Sequence, residues 1–181
     1  MTAWSATVGN ALDCEADALI FSANPSLSLS GGVGGELLLR YGQTMQDFLR
    51  EWLKRSQLPC VVPGSVVVAP GGGSPYRVVI HAVAIDAFYD TSAEIIAKAY
   101  SAAFAEAVTI GCKSIASACL ACGYGRASPG VFLAGIRPHV RSALVGVSRV
   151  EFRSTDAAII SAIQAELRTR NSEPRNAADS Q

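Results

Sequence analysis

Two hydrophobic periodicities alternate along this chain, and their alternation limits the folds that it can adopt. Short segments rich in Val, Ile and Ala, most of them bounded by Gly or Pro, are typical of strands buried on both faces. These segments are 17–23, 65–69, 77–85, 114–120 and 145–153. The segments between them carry apolar residues every three or four positions, which predicts amphipathic helices. Strands interleaved with helices favour an α/β fold, a three-layer α/β/α sandwich with a central mixed sheet.

Four helices are predicted between and after the strands. The first carries Leu38, Tyr41, Met45, Phe48, Leu49 and Trp52, and the second carries Ile96, Tyr100, Phe104 and Val108. The third covers residues 129–142, where a glycine and a proline weaken the helical pattern. The last carries Ile159, Ile160, Ile163 and Leu167, with Thr155 or Asp156 as its N-cap.

The length and hydrophobic content predict one domain followed by a short tail. A chain of 181 residues, half of them hydrophobic, is long enough for one core and is not typical of an intrinsically disordered protein. We therefore expect a single domain over residues 1–169. Residues 170–181 offer no aliphatic anchor beyond alanine, which predicts a flexible carboxyl-terminal tail.

The charge balance argues against two classes of partner. Fifteen Lys and Arg residues against fifteen Asp and Glu residues leave no basic excess for nucleic acid or an acidic membrane surface. No apolar run approaches the roughly 20 residues that a membrane helix needs. The amino terminus lacks a basic leader followed by an apolar stretch. We expect a cytoplasmic protein that binds neither nucleic acid nor membrane.

The pattern of cysteines and histidines favours structural roles over metal binding, redox chemistry or catalysis. Five cysteines, an odd number in a chain of this size, favour reduced thiols. Cys119 and Cys122 form a Cys-x-x-Cys pair in an apolar stretch without a second pair, so we interpret them as structural thiols. His81 lies in the middle of a predicted strand, which is typical of a core histidine. No metal or cofactor is predicted.

Two glycine-rich turns are the most informative features of the sequence. The turn at 28–35, with LSGGVGG at its core, follows one predicted strand and opens into a helix, while ACGYGR at 121–126 follows another. Backbone N–H groups and a helix amino terminus brought to one point can hold a phosphate. Because ligands gather at the carboxyl ends of parallel strands, both turns are expected to line one crevice. A third turn, PGGGSP at 70–75, joins two predicted strands and indicates a hairpin connection.

In these features the chain resembles the macro domain family, whose members bind ADP-ribose and related nucleotides. The resemblance spans about residues 8–167. It rests on Gly9-Asn10, ALIFSAN at 18–24, Gly31-Gly32-Val33-Gly34-Gly35, Val79-Ile80-His81 and the segment 114–125. These match, in order, the family's Gly-Asp pair, Asn-Ala-Ala-Asn strand, first loop, Val-Ile-His strand and second loop. The resemblance implies a ligand site built on the two glycine turns.

At the base end, this chain departs from the family pattern. The family's acidic residue that holds the adenine amino group is replaced by Asn10, an uncharged acceptor. The family's adenine-stacking aromatic falls near Thr155. Both changes imply weaker adenine preference, and Asn10→Asp is expected to tighten ADP-ribose binding if the amino group is within reach.

Further departures concern catalysis. Phe21 replaces the first Asn of the family's strand, while Asn24 retains the second, which lies near the distal ribose. Gly34 stands where the hydrolytic branch places an aspartate, and Glu36 is interpreted as an acid that favours the helix dipole. Turnover is therefore expected near background, with Gly34→Asp raising it if the loop geometry is otherwise competent. The second loop is one residue shorter than usual, which leaves the reach of Tyr124 open.

Three hypotheses follow from these residues. The leading one is a binding module for ADP-ribose or a related nucleotide diphosphate, free or on ADP-ribosylated protein. The second is a hydrolase of ADP-ribosyl or O-acetyl-ADP-ribose substrates that uses a substrate phosphate to activate water, with Asn24 as the candidate catalytic residue. The third is an interaction protein that has lost the nucleotide. The candidate ligand-binding residues are Asn10, Ala11, Asn24, Gly31, Gly32, Val33, Gly34, Gly35, Ala121, Cys122, Gly123, Tyr124, Gly125 and Arg126.

Overall fold

A six-stranded sheet lies at the centre of the computed structural model, which describes residues 1–140 and 142–172. The strands are β1 (Ala3–Val8), β2 (Ala18–Ala23), β3 (Val66–Pro70), β4 (Val78–Val83), β5 (Ser114–Ala118) and β6 (Arg149–Ser154), in the spatial order β1-β6-β5-β2-β4-β3. The β3–β4 pair is antiparallel and the other neighbours are parallel. The predicted mixed sheet is confirmed, and the carboxyl ends of five strands meet at one edge.

Helices cover both faces of the sheet. They are α1 (Gly32–Tyr41), α2 (Thr44–Ser56), α3 (Ala93–Ile110), α4 (Pro129–Val140) and α5 (Ala157–Ser172), with a short 3-10 turn at Ala11–Asp13. On one face, residues of α1 and α2 such as Leu37 and Leu49 pack with Leu19 of β2. On the other face, Tyr100 of α3 and Phe132 of α4 belong to a separate hydrophobic cluster of buried residues. The three-layer prediction is therefore confirmed.

Two local predictions were wrong. The single helix predicted around residues 38–52 is two helices, because Gly42 adopts a left-handed φ of +81° and its N–H donates to Leu38 O, which ends α1. The strand β1 was missed because it is an edge strand whose residues are mostly exposed, with only Ala6 buried. It therefore lacks the apolar run that marked the other strands.

The remaining boundaries differ by a few residues. The turn at 70–75 joins the antiparallel strands β3 and β4, as predicted. The last strand begins at Arg149 and not at Val145, which is exposed. Asp156 caps α5 by accepting a hydrogen bond from Ala158 N at 2.8 Å.

At the carboxyl terminus, α5 continues to Ser172, three residues past the predicted end of the domain at 169. The rest of the predicted tail, residues 173–181, lies outside the described residues. In the described part of the chain, no helix combines the length and the apolar character needed to cross a membrane.

Candidate functional site

A cleft of about 560 Å³ lies at the edge of the sheet where the parallel strands end. It is lined by residues that follow β1, β2, β5 and β6 and by the amino terminus of α1. All but two of the predicted ligand-binding residues line it, namely Asn10, Ala11, Asn24, Gly31, Gly32, Val33, Gly34, Ala121, Cys122, Gly123, Tyr124 and Gly125. The fold thus brings both glycine turns to one crevice, as the sequence predicted.

The two exceptions have local reasons. Gly35 N donates to Gly31 O at 3.0 Å, so its amide closes the first helical hydrogen bond of α1. Arg126 lies on the wall of an adjoining cleft, defined below, and not in the first. Neither residue therefore lines the first cleft.

The first glycine turn presents the open end of a helix. Gly31 is the N-cap of α1, and no side chain caps it. Gly32 follows with a left-handed φ of +54°, a conformation that favours glycine. The first N–H groups of an α-helix have no intrahelical partner and carry the positive end of the dipole. This end of α1 is therefore suited to an anion in the cleft.

The second glycine turn is held by its own backbone. Arg126 N donates to Gly123 O at 3.1 Å, and Ala127 N donates to Ala121 O at 3.0 Å. A side chain at Gly125 would clash, because its Cβ would lie 2.5 Å from Ile85 Cγ2. These contacts fix the loop, while Gly123 faces open space.

Tyr124 joins the two glycine turns across the cleft. A Cβ atom at Gly31 would lie 2.7 Å from Tyr124 Oη, so the ring rests directly against the first turn. The ring centroid of Tyr89 lies 6.3 Å from that of Tyr124. Gly32, Tyr89 and Tyr124 also line a second cleft of about 920 Å³, which contains Arg126 and the exposed Phe88. The two clefts therefore share this wall.

One side of the first cleft, which we call the charged side, is a network of ionic hydrogen bonds around Asn10. Its Oδ1 accepts from Leu12 N at 2.9 Å, and its Nδ2 donates to Glu36 Oε2 at 2.6 Å. Arg40 in turn donates to Glu36 Oε1 and to Asp13. The interpretation of Glu36 as a dipole acid was wrong, because α1 begins at Gly32 and places Glu36 in its second turn.

Arg153 completes the charged side. Its Nε donates to Glu151 Oε1 at 2.8 Å, and a Cβ at Gly9 would lie 3.6 Å from its Nη1. Burial opposes ionisation of Glu151, but the hydrogen bond and charge of Arg153 outweigh burial, so the pKa of Glu151 is lowered. Thr155 also lines the cleft, so the position expected for an aromatic carries a small polar side chain. Sequence reasoning missed Arg153 because its position beside Gly9 depends on the pairing of β6 with β1.

The opposite side, which we call the aromatic side, consists of Phe21, Asn24, Gly31, Gly34, Tyr89 and Tyr124. Asn24 Oδ1 accepts from Ser28 N at 3.0 Å, and its Nδ2 donates to Ser28 O at 3.0 Å. Asn24 therefore both stabilises the turn and lines the cleft. Its amide retains one N–H for a ligand.

Phe21 occupies the space beside Gly34. A Cβ at Gly34 would lie 3.2 Å from Phe21 Cε2 and 3.2 Å from Leu29 Cδ2, so a side chain there would point into apolar packing. The ring of Phe21 also packs edge-on against His81, with centroids 4.8 Å apart. His81 is fully buried, and none of the described residues hydrogen-bonds either ring nitrogen. Burial lowers its pKa to about 3, so His81 is a neutral core residue, as predicted.

The prediction of reduced cysteines without disulfide bonds is confirmed. All five cysteines are free, and Cys119 is buried while Cys122 is half-buried in the cleft wall. Burial raises the pKa of Cys122 to about 12, which disfavours a nucleophilic thiolate at neutral pH. Among the described residues, no group of three or more His, Cys, Asp or Glu side chains is placed to hold a metal ion.

Comparison with known proteins identifies the family. The profile of the Macro domain family matches residues 20–131, which include both glycine turns. This chain belongs to the macro domain family. The match extends from the middle of β2 into the start of α4 and so covers the centre of the fold.

Solved macro domains share this fold at low sequence identity. An Oceanobacillus iheyensis macrodomain with ADP superposes with a TM-score of 0.81 at 19% identity, covering 91% of this chain and 89% of that one. A Trypanosoma brucei macrodomain in complex with ADP-ribose gives a TM-score of 0.71 at 20% identity, covering 90% of this chain and 68% of that one. At these low identities, the structural similarity establishes a shared fold.

Curated relatives match this chain over part of their length. An uncharacterized protein of Pyrobaculum aerophilum is 39% identical over 75 residues, 41% of this macro domain chain and 40% of that protein. An uncharacterized protein of Mycobacterium tuberculosis is 32% identical over 111 residues, 61% of this chain and 29% of that protein. The matched region thus spans less than half the length of either relative.

Proposed function

We propose that this macro domain binds ADP-ribose or a related nucleotide diphosphate in the first cleft without turning it over efficiently. The observation that carries the proposal is the open amino terminus of α1, which faces the cleft beside the second glycine turn. Amides of Gly32 to Gly34 and of the second turn supply donors for a diphosphate, and the helix dipole adds a positive potential. The solved relatives in complex with ADP and ADP-ribose support the same ligand class.

The aromatic side argues against efficient hydrolysis. A hydrolase needs a group that orients water or stabilises charge near the distal ribose. Position 34 offers no side chain, and Phe21 fills the space that such a side chain would enter. Asn24 can orient a ligand, but its amide cannot take up a proton at neutral pH. Binding is therefore favoured over the hydrolase hypothesis, and the two glycine turns that line the cleft favour it over the interaction-protein hypothesis.

The second cleft extends the proposal to ADP-ribose attached to a protein. It adjoins the first cleft at Tyr124 and presents Phe88, whose side chain is 84% exposed. The loop that carries Phe88 is ordered, because Asp86 Oδ1 accepts from Phe88 N at 2.8 Å and from Asp90 N at 2.9 Å. An exposed aromatic ring on a fixed loop is suited to contact a polypeptide beside the nucleotide.

Calorimetric titration tests the proposal. ADP-ribose should bind, and AMP, which lacks the second phosphate, should bind more weakly. Absence of heat and of any thermal stabilisation by ADP-ribose would overturn the binding proposal. For the second cleft, Phe88→Ser should weaken binding of an ADP-ribosylated peptide and leave binding of free ADP-ribose unchanged. Equal effects on both ligands would remove the second cleft from the proposal.

A further inference from the structure

A buried glutamine, Gln46, holds the segment that leads into the first glycine turn. It lies in the first turn of α2 and is only 6% exposed. Its Oε1 accepts from Leu29 N at 2.7 Å, and its Nε2 donates to Leu27 O at 3.1 Å. Both hydrogen bonds are buried, so their loss would leave two backbone groups without a partner in the core. The side-chain amide therefore fixes residues 27–29 from the core side.

The segment held by Gln46 contains a strained residue. Leu27 is buried and has a left-handed φ of +53°, a conformation that bulky side chains rarely adopt. Such a conformation persists only where the surrounding contacts impose it. On the cleft side, Asn24 bonds to both backbone groups of Ser28, and on the core side Gln46 bonds to the residues before and after Ser28. Side-chain amides thus fix this irregular segment from two sides.

Leu29 contacts the first turn of α1. A Cβ at Gly34 would lie 3.4 Å from Leu29 Cα and 3.2 Å from Leu29 Cδ2, and a Cβ at Gly35 would lie 3.9 Å from Leu29 O. The first turn of α1 therefore rests on the backbone that Gln46 holds. Because the amides of this turn are the proposed donors to the diphosphate, a displacement of Leu29 would move those donors.

We propose that Gln46 is a positioning residue for the diphosphate, which holds the amides of Gly32 to Gly34 in place without touching the ligand. This inference rests on the proposed function. Gln46 does not line the first cleft, so its effect on affinity is transmitted through Leu29. The amide makes both of its hydrogen bonds in one orientation, whereas an apolar side chain of similar size would allow the segment to shift. Donors that are already in place lose less entropy when a ligand binds.

The test replaces the amide with an apolar side chain of similar size. Gln46→Met removes both hydrogen bonds and keeps most of the volume. By calorimetry, this variant should bind ADP-ribose roughly tenfold more weakly, about the effect of one lost charge-assisted hydrogen bond. In two-dimensional NMR spectra of the unliganded variant, the amide signals of Gly32 and Gly34 should broaden, because the turn then exchanges between positions.

Thr2→Val is the matched control. Thr2 is 4% exposed, and its Oγ1 accepts from Leu144 N at 2.9 Å and donates to Val147 O at 3.0 Å, so it also holds a connecting segment through two backbone groups. Thr2 lines neither cleft. Both variants should lose stability in urea unfolding, but Thr2→Val should keep its affinity for ADP-ribose and its sharp Gly32 and Gly34 signals. A general loosening of the core would weaken ligand binding in both variants.

Gln46→Glu is the conservative variant. Burial favours the protonated carboxyl group, which can accept from Leu29 N and donate to Leu27 O, so this variant should bind ADP-ribose more tightly than Gln46→Met. All titrations are made at a trimethylamine N-oxide concentration that keeps every variant folded.

Three results would show that the Gln46 assignment is wrong while the proposed function stands. They are unchanged affinity in Gln46→Met, an equal loss of affinity in Thr2→Val, and binding by Gln46→Glu no tighter than by Gln46→Met. If the unmodified chain does not bind ADP-ribose, the proposed function fails and this inference fails with it.

Discussion

The two sides of the first cleft are built from different interactions. On the charged side, Asn10, Glu36, Arg40 and Arg153 are fixed by ionic hydrogen bonds. On the aromatic side, Phe21 fills the space beside Gly34, so apolar packing occupies the place where a carboxylate could act on a ligand. Under the proposed function, the charged side contributes to recognition of the ligand, and the packing of the aromatic side limits its cleavage. The two sides therefore allow recognition and turnover to be tested separately.

The largest expected effect comes from the glycine turn between the two sides. Gly32→Val should reduce binding of ADP-ribose roughly 100-fold or more, since it disturbs several charge-assisted hydrogen bonds at once. A β-branched residue at a φ of +54° is strained and would shift the first amides of α1. Isothermal titration calorimetry measures the loss.

Gly42→Val is the control for this strain. Gly42 also has a left-handed φ, +81°, but it faces open space and lies outside the cleft. The Gly42→Val variant should lose about 1–2 kcal/mol of unfolding free energy and keep its affinity for ADP-ribose. Equal affinity loss in both variants would contradict the assignment of the helix amino terminus as the phosphate site.

The second prediction concerns the packing of the aromatic side. Gly34→Asp alone should destabilise the fold by about 2 kcal/mol or more and should not raise turnover, because its Cβ would face Phe21 and Leu29. The sequence-based expectation was that Gly34→Asp raises turnover if the loop geometry is competent, and Phe21 occupies the space that the carboxylate would need.

Adding Phe21→Asn should open space for the carboxylate. In a double-mutant cycle by urea unfolding, the cost of Gly34→Asp should fall by about 1 kcal/mol or more in the Phe21→Asn background. Release of ADP-ribose from mono-ADP-ribosylated protein should rise only in the double variant. Robust release by the unmodified chain, lost on Asn24→Ala, would instead establish the hydrolase hypothesis.

The sequence predicted the layers of this fold because periodicity is a local signal. Strands such as β4 and β5 are short, mostly apolar and largely buried, and the glycine turns follow strands. The break at Gly42 was missed, since the spacing of apolar residues continues across it. The exposed strand β1 was missed for lack of an apolar run.

The charged side could not be predicted as a unit, because the contacts that assemble its local pairs join distant parts of the chain. Asn10 and Glu36 are 26 positions apart, and no motif relates them. Arg153 reaches the cleft because β6 lies beside β1 in the sheet. The Phe21–Gly34 packing likewise depends on how α1 docks on β2. Such pairings follow from tertiary structure, which single-sequence patterns do not encode.

A third prediction uses the histidine beneath Phe21. His81→Leu should be neutral or stabilise the domain by about 1 kcal/mol at pH 7.5, because it removes two buried ring nitrogens that lack hydrogen bonds to the described residues. The folded-state pKa of His81, about 3, lies below the ordinary value of 6.5. The stability that its neutral form provides is therefore complete above pH 6.5 and is lost as the pH falls towards 3, since the unfolded chain takes up the proton first.

At pH 5.5 the unmodified chain should consequently have lost about 1.4 kcal/mol more than His81→Leu. Urea unfolding at both pH values measures this difference. His139 is present in both proteins, so its contribution to the pH dependence of stability cancels. If the unfolding free energies of the two proteins fell in parallel with pH, the ring of His81 would have a hydrogen-bond partner in solution. The aromatic side would then be more polar than its packing indicates.

The smallest expected effect tests the charged side. From the sequence, Asn10→Asp was expected to tighten ADP-ribose binding if the base amino group is within reach. We now expect weaker binding, because Asn10 Nδ2 donates to Glu36 Oε2 at 2.6 Å and a carboxylate in its place would repel Glu36. An aspartate would still accept from Leu12 N, so the turn should remain. We expect ADP-ribose affinity to fall by roughly 2- to 5-fold at pH 7.5, in line with like charges near a solvated surface.

The pH dependence identifies the cause of that loss. Two neighbouring carboxylates share a proton more readily as the pH falls, so the affinity of Asn10→Asp should approach that of the unmodified chain at pH 5.5. Calorimetric titrations of both proteins at the two pH values provide the comparison. Tighter binding by Asn10→Asp at pH 7.5 would mean that the base amino group contacts position 10 directly. Glu36 would then serve to hold position 10.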